Sequence, residues 1–145
     1  MTEVGAPPRK LSRVPHAAAI YFALVFAVGM LLGPPRVLWL EPWLGKALAV
    51  LLEAPVLIAA MWFAARLAPA WASVDGGWVS FLSIGVIALV LQQMADLAVG
   101  FGLRGMTFAD QLDYFATPAG VIYALTLVIF ALMPLIRMRR HGRLT

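Results

Sequence analysis

Cysteine is absent from all 145 residues of this chain. That absence excludes disulfides, thiolate nucleophiles and Cys-based metal sites together, and it removes redox chemistry as a guide to compartment. Histidine is almost absent too. His16 and His141 stand far from each other and from the intramembrane acidic residues, so no metal constellation is expected. Charged residues make up only 12% of the chain, about half the share of an ordinary soluble domain. No phosphate-cradling glycine loop, zinc-protease motif or Ser/His/Cys nucleophile set occurs, and no cofactor is expected. No internal repeat is evident, which leaves an inverted-repeat transporter architecture without direct support.

Apolar surface is what the chain has in excess. Hydrophobic residues account for 63% and the mean hydropathy is +0.90, against about 45–50% apolar residues in soluble domains. No soluble core of this size absorbs that much, so the bilayer is the expected solvent. A hydrocarbon layer of about 30 Å requires roughly 20 helical residues. Four stretches meet this length: about 16–40 (apolar to Gly33, with continuation to Leu40 left open), 44–67, 78–101 and 119–136. The expected fold is an all-α, antiparallel four-helix membrane bundle. It forms one transmembrane domain over 1–145, with basic tails at 1–15 and 137–145. The first stretch follows Arg9, Lys10 and Arg13 as a signal peptide would, but no small-x-small cleavage site follows and the run ends in Gly33-Pro34-Pro35-Arg36. It reads as a retained helix.

The net charge of +4 does not indicate nucleic acid, because its distribution is topological. Eight of the eleven basic residues (Arg9, Lys10, Arg13, Arg66, Arg137, Arg139, Arg140 and Arg143) fall before span one, after span two or after span four. The positive-inside rule then places both termini and the middle loop in the cytoplasm, where the basic tails meet anionic lipid headgroups. Trp39, Trp43, Trp71 and Trp78 fall at predicted boundaries, as an aromatic belt does. Ser73 to Gly77 is turn-rich. In the second external loop, Thr107 and Asp110 have capping-box spacing and open a short interfacial helix through Tyr114 and Phe115. Thr117-Pro118 reads as an N-cap followed by proline at the first helical position.

Two carboxylates interrupt the oily runs, Glu53 and Asp96. Burying a charge at this depth costs about 2.5–3.5 kcal/mol on the mildest scale, so each requires a partner or a proton. Glu53 lies roughly 16 Å into span two, counting 1.5 Å per residue from Pro42. Span three runs the other way, and its Gln92, Gln93 and Asp96 lie within about two turns of its external end, Gln92 and Asp96 on one face. Arg36 sits at the external end of span one and Arg104 just past span three, and their long stems reach inward. By depth these six residues converge on the outer half of one bundle. The expected pairs are Arg36 with Glu53, and Asp96 with the glutamines or Arg104; the planar guanidinium suits bidentate pairing. Pro55 follows Glu53 closely and frees a carbonyl near Leu51, a local polar kink. Gly29-x-x-x-Gly33 has the spacing of a close-packing motif, with Ala60-x-x-x-Ala64 a weaker version.

The segments Tyr21 to Phe26, Arg36-Val-Leu-Trp-Leu40, Pro42-x-x-Gly45 and Leu52-Glu53-Ala54-Pro55 resemble those of small four-span proteins of proteobacterial inner membranes. The resemblance covers most of the chain and implies an all-helical four-span fold and a bacterial inner membrane as host. It implies no catalytic or binding role. Pro34-Pro35 departs from that family's pattern, which leaves open whether helix one runs straight through Arg36.

Three functions fit these observations. The first is a non-enzymatic inner-membrane protein, free-standing or an accessory or assembly subunit, whose buried Arg/Glu/Gln/Asp network fixes packing. Its partners would be lipids and a homo-oligomer or larger complex. The second is a small oligomeric proton-linked transporter or channel. The third is a membrane enzyme using Glu53 and Asp96 on a lipid-like substrate.

Overall fold

The computed structural model describes the backbone of residues 9–74 and 76–142 and the side chains of 13–74 and 76–138. The side chains of Arg9, Lys10, Arg139, Arg140, His141 and Arg143, which carry much of the topological charge, lie outside the described residues. The elements are α1 (Arg9–Pro35), a π-helical turn (Arg36–Leu40), α2 (Glu41–Leu44), α3 (Lys46–Trp71), α4 (Trp78–Gly102), α5 (Phe108–Phe115) and α6 (Pro118–Gly142). No strand occurs among the described residues.

Four of these helical stretches are long and apolar enough to cross a membrane. Each outruns its apolar segment because straight-chain polar residues such as Arg66 and Arg137 continue a helix as well as leucine does. The first is the longest, Arg13–Leu44, because the double proline does not end it. Pro34 and Pro35 lack the backbone donors that the carbonyls of Met30 and Leu31 require. Just past the prolines the helix widens: Glu41 donates its N–H to the Arg36 carbonyl, five residues back, and a π turn links α1 to α2. Gly45, at φ +81°, then reverses the chain in a conformation that a side chain would strain.

Around the bundle the order is α1, α3, α6, α4, each long helix packing on two neighbours. Arg13, near the start of α1, donates to the Ser73 carbonyl just past α3. Arg36, just past α1, reaches Glu53 near the start of α3. Successive long helices are therefore antiparallel. The apolar core occupies the Arg13 end. There Ala17, Ala18 and Tyr21 of α1 meet Ala64, Ala65 and Ala68 of α3, and Ile84 and Ala88 of α4 meet Phe130 and Met133 of α6. Tyr21 stacks on Phe130 at 4.7 Å and donates its hydroxyl to the Phe130 carbonyl at 2.6 Å, which satisfies a phenol that would otherwise be stranded in the core.

The close backbone approach falls elsewhere than the Gly29-x-x-x-Gly33 spacing predicts. A Cβ on Gly85 would lie 1.8 Å from the Ala131 carbonyl oxygen, so α4 and α6 touch there. Gly33 has nothing within 4 Å of an added Cβ, and Gly29 only meets Leu57 at 4.0 Å. These two glycines open space instead of closing it. The spacing places both on one face of α1, but the partner helix on that face stands back from them.

Candidate functional site

At the Arg36 end the helices part around a cavity of about 580 Å³. All six residues that the sequence places at one depth line it: Arg36, Glu53, Gln92, Gln93, Asp96 and Arg104. Its floor includes Val25, Met61 and Phe130, at the top of the apolar core. α5 covers one side, its backbone close to α4 and α6 but not to α1 or the π turn. Exposed lining residues stand on both sides of that gap, Met30 and Val37 on one and Leu103, Phe108 and Leu112 on the other. The mouth therefore lies between the π turn and α5.

The polar lining forms two clusters. In the first, Arg36 Nη1 donates to Glu53 Oε2 at 2.6 Å, and Arg36 Nε lies 3.4 Å from Glu41 Oε1. The second contact is an ion pair by distance, yet the buried Nε lacks an aligned hydrogen bond. Glu53 is buried and Arg36 half-buried, so the pair replaces water on the carboxylate that needs it most. In the second cluster, Gln92 Nε2 donates to Asp96 Oδ1 at 2.9 Å and the Tyr123 hydroxyl donates to Asp96 Oδ2. Both oxygens of Asp96 thus have donors from two helices. Arg104 stands exposed at the rim, and among the described residues no ion pair joins it to Asp96. Of the partners expected for Asp96, a glutamine fills the role.

Four residues at or beside the site are not among those the sequence points to. Glu41 and Tyr123 pair with the expected residues, and Gln111 and Thr126 line the cavity beside them. Thr126 returns its hydroxyl to the Ile122 carbonyl at 2.8 Å. Gln111 lies against Gly100, where a Cβ would come within 2.0 Å of its Nε2. α5 is held in place by its ends. Asp110 N–H donates to Thr107 Oγ1 at 3.2 Å and Thr107 N–H to Asp110 Oδ2 at 2.8 Å, a complete capping box. The bond from the Thr107 backbone holds the Asp110 carboxyl below the usual carboxylate range. At the other end Thr117 Oγ1 accepts from Gly120 N–H at 3.1 Å, capping α6. Burial raises the Tyr114 phenol, which remains neutral beside Phe115 and Tyr123.

Among the described residues no group of His, Asp and Glu side chains has the arrangement of a metal site. Among the described residues, three buried side-chain nitrogens have no hydrogen-bond partner: Arg36 Nε, Gln93 Nε2 and Gln111 Nε2. All three belong to residues that line this cavity. Comparison with protein-family models, curated proteins and solved structures returns no match to this chain. Four candidate membrane-spanning helices make it a multi-pass membrane protein by length and composition.

Proposed function

We propose that this chain is a non-enzymatic, multi-pass protein of a bacterial inner membrane that receives a small molecule within the outer half of its bundle. In this reading the two polar clusters lock the helices and leave the space between them as a binding chamber. Arg36 with Glu53 ties the first helix to α3, and Asp96 with Tyr123 ties α4 to α6. The observation that carries the reading is the common cavity of about 580 Å³ lined by both clusters. Its size lies within the roughly 300–1,000 Å³ range of small-molecule sites. A network serving packing alone would be closed over by apolar side chains, as the Tyr21 hydroxyl is.

Orientation follows the charge. Arg13, Arg66 and Arg137 share the end opposite the cavity, which supports a cytoplasmic placement for that end and an external mouth. Trp39 and Trp43 flank the mouth, both exposed, at the level expected of an interfacial belt, and α5 would lie in the same interface. The floor at Phe130, backed by the stacked Tyr21 ring, favours a one-sided receptor or accessory subunit over a channel through a single copy. Lipid headgroups at the basic end, and further copies or a larger complex along the exposed apolar faces, are the partners this reading expects.

Because the chain lacks cysteine, single thiols report accessibility cleanly. Thr126 and Ala88 are both buried, but only Thr126 lines the cavity. In nanodiscs, Thr126→Cys should react with methyl methanethiosulfonate at least about tenfold faster than Ala88→Cys. Equal, slow reaction at both positions would remove the chamber and the proposed function with it.

A further inference from the structure

A second hollow lies on the outside of the bundle, toward the end opposite the chamber. A groove of about 180 Å³ is lined by Leu24 and Val28 of α1 and by Ala60, Phe63, Ala64 and Leu67 of α3. None of the six is polar. Ala60 and Ala64, one turn apart, end at Cβ and leave the space open. All six belong to candidate membrane spans. From Ala60 to Leu67 the groove follows about 10 Å of helix, within the roughly 15 Å that one leaflet gives to the hydrocarbon layer. Its Leu67 end points to the basic end, since α3 runs from Glu53 toward Ser73 and its partner Arg13.

Charge stands at that end of the groove. Arg66 is exposed, adjacent to Leu67 and three residues after Phe63, so it shares a helix face with a groove residue. It lies one turn after Trp62, and the Arg137 guanidinium stands 4.0 Å from the centre of the Trp62 ring. Arg13 lies about three turns before Leu24 on the same face of α1. Among the described residues no ion pair engages Arg66. The described acidic residues (Glu41, Glu53, Asp96, Asp110 and Asp113) all belong to the chamber end. A second copy in the same orientation would set arginine against arginine there. An anionic amphiphile complements both the cations and the groove. We infer that the α1–α3 groove and Arg66 bind an anionic phospholipid of the leaflet at the basic end. One acyl chain lies in the groove and the phosphate meets the Arg66 guanidinium, whose planar fork suits two phosphate oxygens. Arg66 lies roughly 8 Å short of the boundary residue Trp71 along the helix, and its long stem covers most of that depth. The inference rests on the membrane reading of the four spans and is independent of the chamber.

Three probes separate head from tail: dioleoylphosphatidylglycerol, dioleoylphosphatidylcholine and chain-free glycerol 1-phosphate. Each is added to the full-length protein in detergent micelles, and bound probe is read by native mass spectrometry. Phosphatidylglycerol should bind at least about fivefold tighter than phosphatidylcholine, and glycerol 1-phosphate should not bind. Arg66→Gln, at an exposed position, should remove most of that preference, while Lys46→Gln at the far end should leave it unchanged. Ala60→Leu fills the groove and should weaken phosphatidylglycerol binding at least about threefold. Ala59→Leu, exposed on the neighbouring position outside the groove, should not. Equal binding of the two phospholipids, or a preference that survives Arg66→Gln, would overturn the proposal. Glycerol 1-phosphate matching phosphatidylglycerol would make Arg66 a site for free phosphate esters and overturn the role of the groove. An Ala60→Leu variant that separates a dimer into monomers yet binds lipid as before would make the groove an interface between copies and overturn the lipid. None of these results bears on thiol reactivity at Thr126→Cys, so the chamber stands or falls separately.

Discussion

Arg36, the first residue of the π turn, meets Glu53, 17 residues away in the chain, at 2.6 Å. In an α-helix, positions 36 and 41 would point about 140° apart at 3.6 residues per turn. The wider turn brings them toward one face, and Arg36 lies between Glu41 ahead of it and Glu53 across from it. The π turn follows directly on Pro34-Pro35 and carries Arg36 at its first position. π turns are rare and recur at functional sites, which agrees with this one bordering the cavity.

The two kinds of glycine should respond oppositely to alanine. Gly85→Ala drives a methyl into the Ala131 carbonyl and should cost about 1–3 kcal/mol. Gly33→Ala meets open space in a helix and should stabilise by about 0.5–1 kcal/mol. Reversible unfolding in mixed micelles measures both.

Tyr123→Phe strips Asp96 Oδ2 of its donor and should destabilise by about 1–3 kcal/mol. Asp96→Asn in that background should cost little more, since the pair acts as a unit. Additive losses from the two changes would show that the hydroxyl and the carboxylate do not interact.

The start of α5 should be sensitive to acid. Asp110 titrates below the ordinary carboxylate range because the Thr107 N–H binds its ionised form. A lowered folded pKa stabilises the folded form above the unfolded value, near 4, and that stability is lost as pH falls through the folded value. Amide exchange in the first turn of α5 should therefore be flat from neutral pH down to about 4 and accelerate beneath it, beyond the intrinsic pH trend. Asp110→Asn should flatten that dependence.

The basic end should face the cytoplasm. Ser73→Cys should be labelled by a membrane-impermeant maleimide only in inverted vesicles, and Trp43→Cys only in intact spheroplasts. The opposite pattern would invert the orientation of the cavity.

Six of the residues lining the cavity were legible because depth is a one-dimensional quantity. Counting residues from each end of an apolar run ranks Glu53, Asp96 and both glutamines without knowing how the helices rotate. Rotation is what the linear pattern leaves out. Tyr123 lies at the depth of Asp96, yet it reads as interfacial aromatic filler until α4 and α6 are packed through Gly85. Glu41 escapes notice because its spacing from Arg36 has meaning only in a π turn. Gly29 and Gly33 show the converse failure. Their spacing is that of a contact, but contact needs a partner, and the neighbouring helices diverge there around the cavity. The capping box at Thr107 and Asp110, by contrast, is wholly local and readable in four residues.

The account depends most on Arg36 and Glu53 neutralising each other inside the bundle, and a double-mutant cycle measures that directly. Arg36→Gln leaves Glu53 buried without its counter-charge and should cost about 3–5 kcal/mol in unfolding free energy. Glu53→Gln should be costly for the converse reason, and the double variant should recover a coupling of at least about 1.5 kcal/mol relative to the sum of the singles. Additive single losses, with coupling near zero, would contradict the pair and the charge centre built on it.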